Sequence, residues 1–238
     1  MTQQLTLPIS LNKHVGFESF VEGKNANLVS HLKRVIEHGS AEYPQTSQRI
    51  SVLVGQKGYG KTHLLLACCE FAQRLDLDYQ YIDLTKLVNM PPQVLLGMVE
   101  SPIICIDNLH IVDENLAWQT AVFDVINQFI ENDQCLLVLS SQKSIEEISY
   151  ELPDLKTRLN WGVNYVVQSL DDKQKLQALK TQLKLRSIPV SEEALDFMLK
   201  RVSRNMHELN NMISEIDKET LASKRKVTIP FIKKTLSL

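Results

Sequence analysis

Apolar and polar positions fall into two rhythms along this chain. Between residues 50 and 167, short continuous apolar runs alternate with amphipathic stretches; beyond residue 171 only helical spacing remains. The runs at 50–54, 79–84, 103–107, 135–139 and 165–167 predict strands. The stretches at 61–75, 91–99, 114–131 and 144–150 predict helices between them. Upstream, Leu28, Leu32, Val35 and Ile36 share one helical face over residues 25–38, and Gly39 follows as a stop. Strands alternating with helices imply a parallel sheet covered on both faces. Residues 171–185, 191–202, 205–221 and 230–236 then predict helices alone, with Ser191 as an N-cap before Glu192 and Glu193, and Pro230 in a first turn. The fold class is therefore α/β: a parallel-sheet domain over 13–170 and a small all-α domain over 171–238, preceded by a tail of residues 1–12 without helical period.

Composition narrows the function classes. With 238 residues and 44% apolar side chains the chain buries a core without disulfide or metal support. A net charge of −2, from 26 basic and 28 acidic residues, argues against a protein whose main task is coating nucleic acid. No apolar run nears the roughly 20 residues of a membrane span and the N-terminus lacks a secretion signal, so the expectation is a cytoplasmic protein with no membrane partner. Cys68, Cys69, Cys105 and Cys135 have no CxxC spacing and read as buried thiols of a reduced compartment. The histidines lack metal-ligand spacing, Trp118 and Trp161 read as packing anchors, and Lys224-Arg225-Lys226 reads as a solvated face.

The chemistry concentrates after the first strand. Gly55-Gln-Lys-Gly-Tyr-Gly-Lys-Thr62 fits G-x-x-x-x-G-K-[ST] in full, between a strand and an amphipathic helix. Glycines let the backbone curl its N–H groups around an anion, with room at Gly58 and Gly60 beside Tyr59, and the next helix adds the positive end of its dipole. Lys61 supplies a point charge for β/γ oxygens, and the Thr62 hydroxyl is a Mg²⁺ ligand. His63 follows as a residue that caps or lines the site. Asp107, ending the third strand, is the acid expected to hold the magnesium water shell. The expected ligands are ADP or ATP with Mg²⁺. Where ATPases of this layout usually carry a second carboxylate, this chain has Asn108, and an amide cannot accept a proton at neutral pH. Binding is expected; fast self-sufficient hydrolysis is not.

These residues resemble the AAA+ family of P-loop NTPases, and within it the DnaA-related branch, from Phe17 to Leu238. Phe17-Glu-Ser-Phe-Val-Glu-Gly-Lys-Asn25 resembles the DnaA segment that holds adenine, which implies that role for Phe20 and Val21. Leu155-Lys-Thr-Arg158-Leu-Asn-Trp-Gly162 resembles the box carrying the arginine finger, and Arg204-Asn-Met-His207-Glu-Leu209 resembles the sensor helix of the lid. Ser141 stands where DnaA has a polar sensor after a strand. The tail, with Gln4, Leu5, Leu7, Pro8 and Ile9, resembles a Q-L-x-L-P motif that docks into a pocket of the DNA polymerase sliding clamp; exposed apolar residues on an end segment also suit an extended recognition peptide. The likeness implies that the initiator's DNA-reading and helicase-contacting domains are absent.

The resemblance implies a regulatory member that acts with the DNA-loaded clamp, offering Arg158 in trans so that DnaA hydrolyses its ATP, which turns initiation off. Its partners are then DnaA, the clamp and, through the clamp, DNA; self-association stays open. The alternative is a self-sufficient AAA+ ATPase that loads helicase or remodels a nucleoprotein complex. Asn108, Ser141 and His207 (an arginine in DnaA) depart from the family pattern where ATP is told from ADP, so ADP is expected to bind at least as well as ATP.

Overall fold

The computed structural model describes residues 15–201, 206–223 and 227–235. Its centre is a five-stranded, wholly parallel sheet of β1 (Ile50–Val54), β2 (Tyr79–Asp83), β3 (Ile103–Asp107), β4 (Leu136–Ser141) and β5 (Val163–Val166), in the order β2-β3-β4-β1-β5. Alternate side chains of the inner strands β1, β3 and β4 pack on two covered faces, so these strands are buried almost throughout, whereas the edge strands β2 and β5 stay partly exposed. Ile104, Ile106, Leu137, Leu139, Ile50 and Val52 face α4 (Leu116–Glu131) and α5 (Pro153–Trp161). Ile103, Cys105, Leu136, Val138 and Leu53 face α1 (Ala26–His38) and α2 (Lys61–Arg74). Both sheet faces are covered, as a parallel sheet requires.

One buried cation fixes the entry to this sheet. Arg49, with no exposed surface, donates to the carbonyls of Asp133 (3.2 Å) and Gln134 (2.5 Å), to Thr46 Oγ1 (3.1 Å) and to the Asp133 carboxylate. It thereby ties the start of β1 to the turn before β4. Carbonyl groups that end in turns at the bottom of the sheet find their donor there.

A helical domain follows. α6 (Asp172–Leu185) opens on a capping box, with Gln174 N donating to Asp171 Oδ1 (2.8 Å) and Asp171 N to Gln174 Oε1 (3.0 Å). It packs with α7 (Glu192–Arg201), α8 (Met206–Ser223) and α9 (Ile229–Thr235) around Leu179, Leu183, Leu195, Met198, Ile213 and Ile232.

The structure alters several expectations. Residues 92–98 and 145–147 form only 3₁₀ turns, since Pro91 and Pro92 and a local capping box at Ser144 favour tight turns over a propagated helix. α4 starts at Leu116, where the Asn115 side chain accepts from Trp118 N. β4 extends through Ser140 and Ser141 because β1 pairs with them. β5 begins two residues earlier than the apolar run suggested, at Val163. α5 escaped the pattern because only Leu155 and Leu159 of its nine residues are buried. α3 (Leu84–Leu87), a single turn capped by Asp83, was likewise not anticipated.

Candidate functional site

The carboxyl ends of β1, β2, β3 and β4 meet at one edge of the sheet, the edge at which open α/β sheets bind ligands. Between β1 and α2, Gly58 (φ 89°) and Gly60 (φ 92°) take left-handed conformations that only glycine adopts without strain. A Cβ on Gly60 would also lie 2.8 Å from Phe20 Cε2, so the aromatic ring rests directly on the loop. Gly55 N donates to Ser141 O (3.1 Å), anchoring the loop to β4. Lys61, the first residue of α2, is buried; its Nζ donates to Gly55 O (2.6 Å) and Gln56 O (3.0 Å). Burial lowers the lysine's pKa, and the neighbouring Asp107 charge opposes that shift.

Asp107 is 2% exposed and satisfied on both oxygens. Oδ2 accepts from Thr62 Oγ1 (2.7 Å) and Tyr81 OH (2.8 Å); Oδ1 accepts from Asn108 N (3.1 Å) and from Ser140 Oγ. Burial and the Asp107 charge push the Tyr81 phenol far up, so it stays a donor. The Thr62 and Asp107 oxygens thus stand together beside the loop, as a Mg²⁺ site needs. Asn108 (φ 67°) turns aside: its Nδ2 donates to Asp83 Oδ1 (2.9 Å), which also accepts from Thr85 N (3.1 Å) and Thr85 Oγ1 (2.7 Å).

Ser141 does not reach this cluster. Its Oγ donates to Lys143 O (2.5 Å) and accepts from Lys143 N (3.1 Å), while Ser140, on the other face of the strand, meets Asp107. Strand alternation thus turns Ser140, and not Ser141, toward Asp107.

A cavity of about 390 Å³ opens over the loop. Phe20, Val21, Gly58, Tyr59, Gly60, Thr62 and His63, each named above as a candidate nucleotide contact, line one side. His63 Nε2 lies 3.2 Å from Ser19 Oγ and 3.0 Å from Gly16 O, with its ring against Phe20; burial lowers its pKa and the Gly16 bond partly offsets this. The opposite wall is the helical domain: Ala178 and Gln182 one turn apart on α6, Arg186 just past its end, and Met206 and Asn210 of α8. Sequence reading missed these, since pocket-lining positions on an amphipathic helix look like ordinary interfacial ones. The volume lies within the usual range of roughly 300–1,000 Å³ for small-ligand pockets. The glycine cradle, Lys61, Thr62 and Asp107 fit a Mg²⁺-nucleotide. Among the described residues no group of three or more His, Cys, Asp or Glu side chains is placed to hold a metal ion by itself.

Arg158 sits elsewhere. Its guanidinium lies over the Trp161 ring, 5.8 Å from the centroid, and it forms no ion pair among the described residues, Asp154 included. Trp161 is 46% exposed rather than a packing anchor, whereas Trp118 is buried as expected. With Phe123 and Asn160 the pair lines a second concavity that shares no residue with the first. The tail residues Gln4, Leu5, Leu7, Pro8 and Ile9, the basic run at 224–226, and Arg204 lie outside the described residues, as does the His207 side chain on α8.

The family model for the bacterial DnaA ATPase domain matches residues 11–90, and the model described as the Hda lid domain matches residues 172–236. The chain is an Hda-like, DnaA-related AAA+ protein. Solved structures carry the same fold. Domain III of the Thermotoga maritima replication initiation protein DnaA is 21% identical, with a TM-score of 0.76 over 95% of this chain and 97% of that one. AMPPCP-bound DnaA from Aquifex aeolicus is 19% identical, with a TM-score of 0.65 over 90% and 70%. The Thermotoga maritima RuvB Holliday junction branch migration motor is 16% identical, with a TM-score of 0.60 over 94% and 69%. The α6–α9 bundle of this DnaA-related chain is thus its lid. No helix among the described residues is long and apolar enough to cross a membrane.

Proposed function

We propose that this chain is an ADP-loaded regulator of replication initiation that works with the DNA-loaded sliding clamp to stimulate ATP hydrolysis by DnaA, supplying Arg158 in trans. The observation that carries the reading is the tethered Asn108. The Asp107 carboxylate is occupied by four donors, the Asn108 amide is held by Asp83, and none of the described residues lining the cavity is a carboxylate. The pocket offers a phosphate cradle but no carboxylate among its described lining residues to take a proton from water, a contribution worth about 10²–10⁴-fold elsewhere, and the lining histidine, His63, is already engaged by Ser19 and Gly16. Self-sufficient ATPase activity, the competing reading, lacks a carboxylate base.

Gly55, Gly58, Gly60 and Lys61 would hold the diphosphate, Thr62 and Asp107 its Mg²⁺, and Phe20 and Val21 the adenine; the bound nucleotide would supply the link between domain and lid. Arg158 stands half-buried on α5, resting over Trp161 with no ion pair among the described residues, so a docking subunit would meet a guanidinium whose charge is not neutralised. Such a cation neutralises charge building on a phosphoryl group in flight, an effect of about 10³–10⁵-fold in other NTPases. The tail segment Gln4–Ile9 would engage the clamp and concentrate the chain near DnaA.

The test mixes this chain, clamp, DNA and labelled ATP–DnaA, with wild type or Gln4→Ala. Stimulated hydrolysis should need clamp and DNA and should fall with Gln4→Ala, while this chain alone turns over well under the usual ~1–10³ s⁻¹. Rapid hydrolysis by the chain alone, without DnaA, would support the competing ATPase reading instead.

A further inference from the structure

Opposite the phosphate loop, the lid presents an unexplained polar group. Gln182 is only 8% exposed and lines the cavity, yet among the described residues its carboxamide has no hydrogen-bond partner. Buried side-chain amides are ordinarily paired, because an unmade bond costs the desolvation of the group. Just past the end of α6, Arg186 also lines the cavity, with its Nη1 3.4 Å from Asp217 Oδ2 and its buried Nε without a partner. Phe20, Val21, Leu170 and Ala178 line the same cavity, apolar groups that suit the faces of a flat ring. The phosphate end already has donors in the loop and Lys61, and needs no acceptor. A carboxamide brings one donor and one acceptor side by side, the pairing that suits the edge of a base.

We propose that Gln182 is the lid's base-reading residue, hydrogen-bonding the edge of a purine ring held between Phe20–Val21 and α6. This rests on the nucleotide-binding reading above. It makes the presence of a base, and not only of phosphate, a determinant of binding. Asp217 holds Arg186 back from that edge, so the neutral amide rather than the cation does the reading.

The experiment compares the full chain with its Gln182→Met and Gln182→Glu variants by calorimetry against Mg²⁺-ADP, Mg²⁺-IDP and tripolyphosphate. IDP carries a carbonyl where ADP has an amino group, which reverses the donor and acceptor along that edge. Gln182→Met should weaken ADP about five- to tenfold, the loss of a hydrogen-bonded pair. It should weaken IDP by a similar factor, because an amide with no protein partner can rotate to present donor and acceptor in either order, and leave tripolyphosphate unchanged. Gln182→Glu, which offers only acceptors at neutral pH, should bind ADP better than IDP. Three outcomes overturn the proposal: Gln182→Met binding ADP like wild type, an equal loss for tripolyphosphate, or no preference for ADP over IDP in Gln182→Glu. If wild type itself binds neither ADP nor tripolyphosphate, the nucleotide reading falls and this proposal with it. If wild type binds both and only the variants disagree, the reading stands and Gln182 loses its role. Unfolding temperatures of the unliganded variants close to wild type separate a reading role from a merely structural one.

Discussion

Restoring the missing carboxylate by Asn108→Asp should damage this protein rather than turn it into an ATPase. Asn108 sits at φ 67°, a conformation that aspartate tolerates nearly as well as asparagine, so the backbone does not resist the change. The cost is electrostatic. The Asn108 amide donates to Asp83 Oδ1 at 2.9 Å, and a bond to a charged acceptor is worth about 1.5–3 kcal/mol. Its replacement sets two carboxylates at about 3 Å, where repulsion runs from about 1 kcal/mol in bulk water to about 5 kcal/mol at an effective dielectric near 20. Rotation of the new side chain relieves part of this, leaving about 2–4 kcal/mol at pH 7. For a chain of this size that lowers Tm by about 5–15 °C. The pair also sets the pH dependence. Mutual repulsion raises the folded pKa of one carboxyl above its unfolded value of about 3.9, so the penalty is present above the folded pKa. It is lost as pH falls through that value, because the protonated acid donates in place of the amide. Scanning calorimetry of wild type and Asn108→Asp from pH 7 to pH 4 should show the gap in Tm closing. Adding Asp83→Asn, which reverses donor and acceptor, should recover more than half of it at pH 7. A variant as stable as wild type at pH 7, a gap that ignores pH, or ATP turnover above ~1 s⁻¹ would refute the reasoning.

Three further outcomes follow from the same geometry. Gly60→Ala forces a left-handed alanine against Phe20, so ADP affinity should fall at least about tenfold and stability by about 1–2 kcal/mol, read by titration and denaturant unfolding. His63 has a folded pKa lowered below its unfolded value, so the stability it gives is present above about pH 6.5 and is lost as pH falls through the folded pKa. Tm should therefore decline on acidification below about pH 6.5, and His63→Gln should make that slope shallower without abolishing it, because burial lowers His31 and His110 as well. Calorimetry should find ADP bound at least as tightly as ATP; ATP bound about tenfold tighter would contradict the expectation drawn from Asn108 and His207.

What the sequence makes legible here is chemistry tied to local spacing. The loop from Gly55 to Thr62, the acid at the end of β3 and the five strands depend on neighbours within one turn or one strand, and they stand within a few residues of where the pattern put them, whereas two of the intervening helices shrink to 3₁₀ turns. What stayed hidden depends on register and on distant partners. Whether Ser140 or Ser141 meets Asp107 turns on a single-residue shift along β4, which flips every side chain to the other face. Asn108 could be read as a missing base, but its tether to Asp83 requires β2 and β3 to pair with those residues in register. Gln182 and Arg186 look like any polar positions on a lid helix until the lid is folded over the loop. Trp161 reads as core by its residue type, and only its place at the end of an exposed helix makes it a rest for Arg158.

The most direct measurement is single-turnover hydrolysis of labelled ATP on DnaA, with DNA-loaded clamp and either wild type or Arg158→Ala. Nucleotide titration and clamp pull-down should first give the same result for both proteins, since Arg158 does not line the nucleotide cavity and is not part of the segment 4–9. The account predicts that wild type raises the DnaA rate and that Arg158→Ala leaves it at the unstimulated level, a loss of about 10³-fold or more. Undiminished stimulation by Arg158→Ala would contradict it.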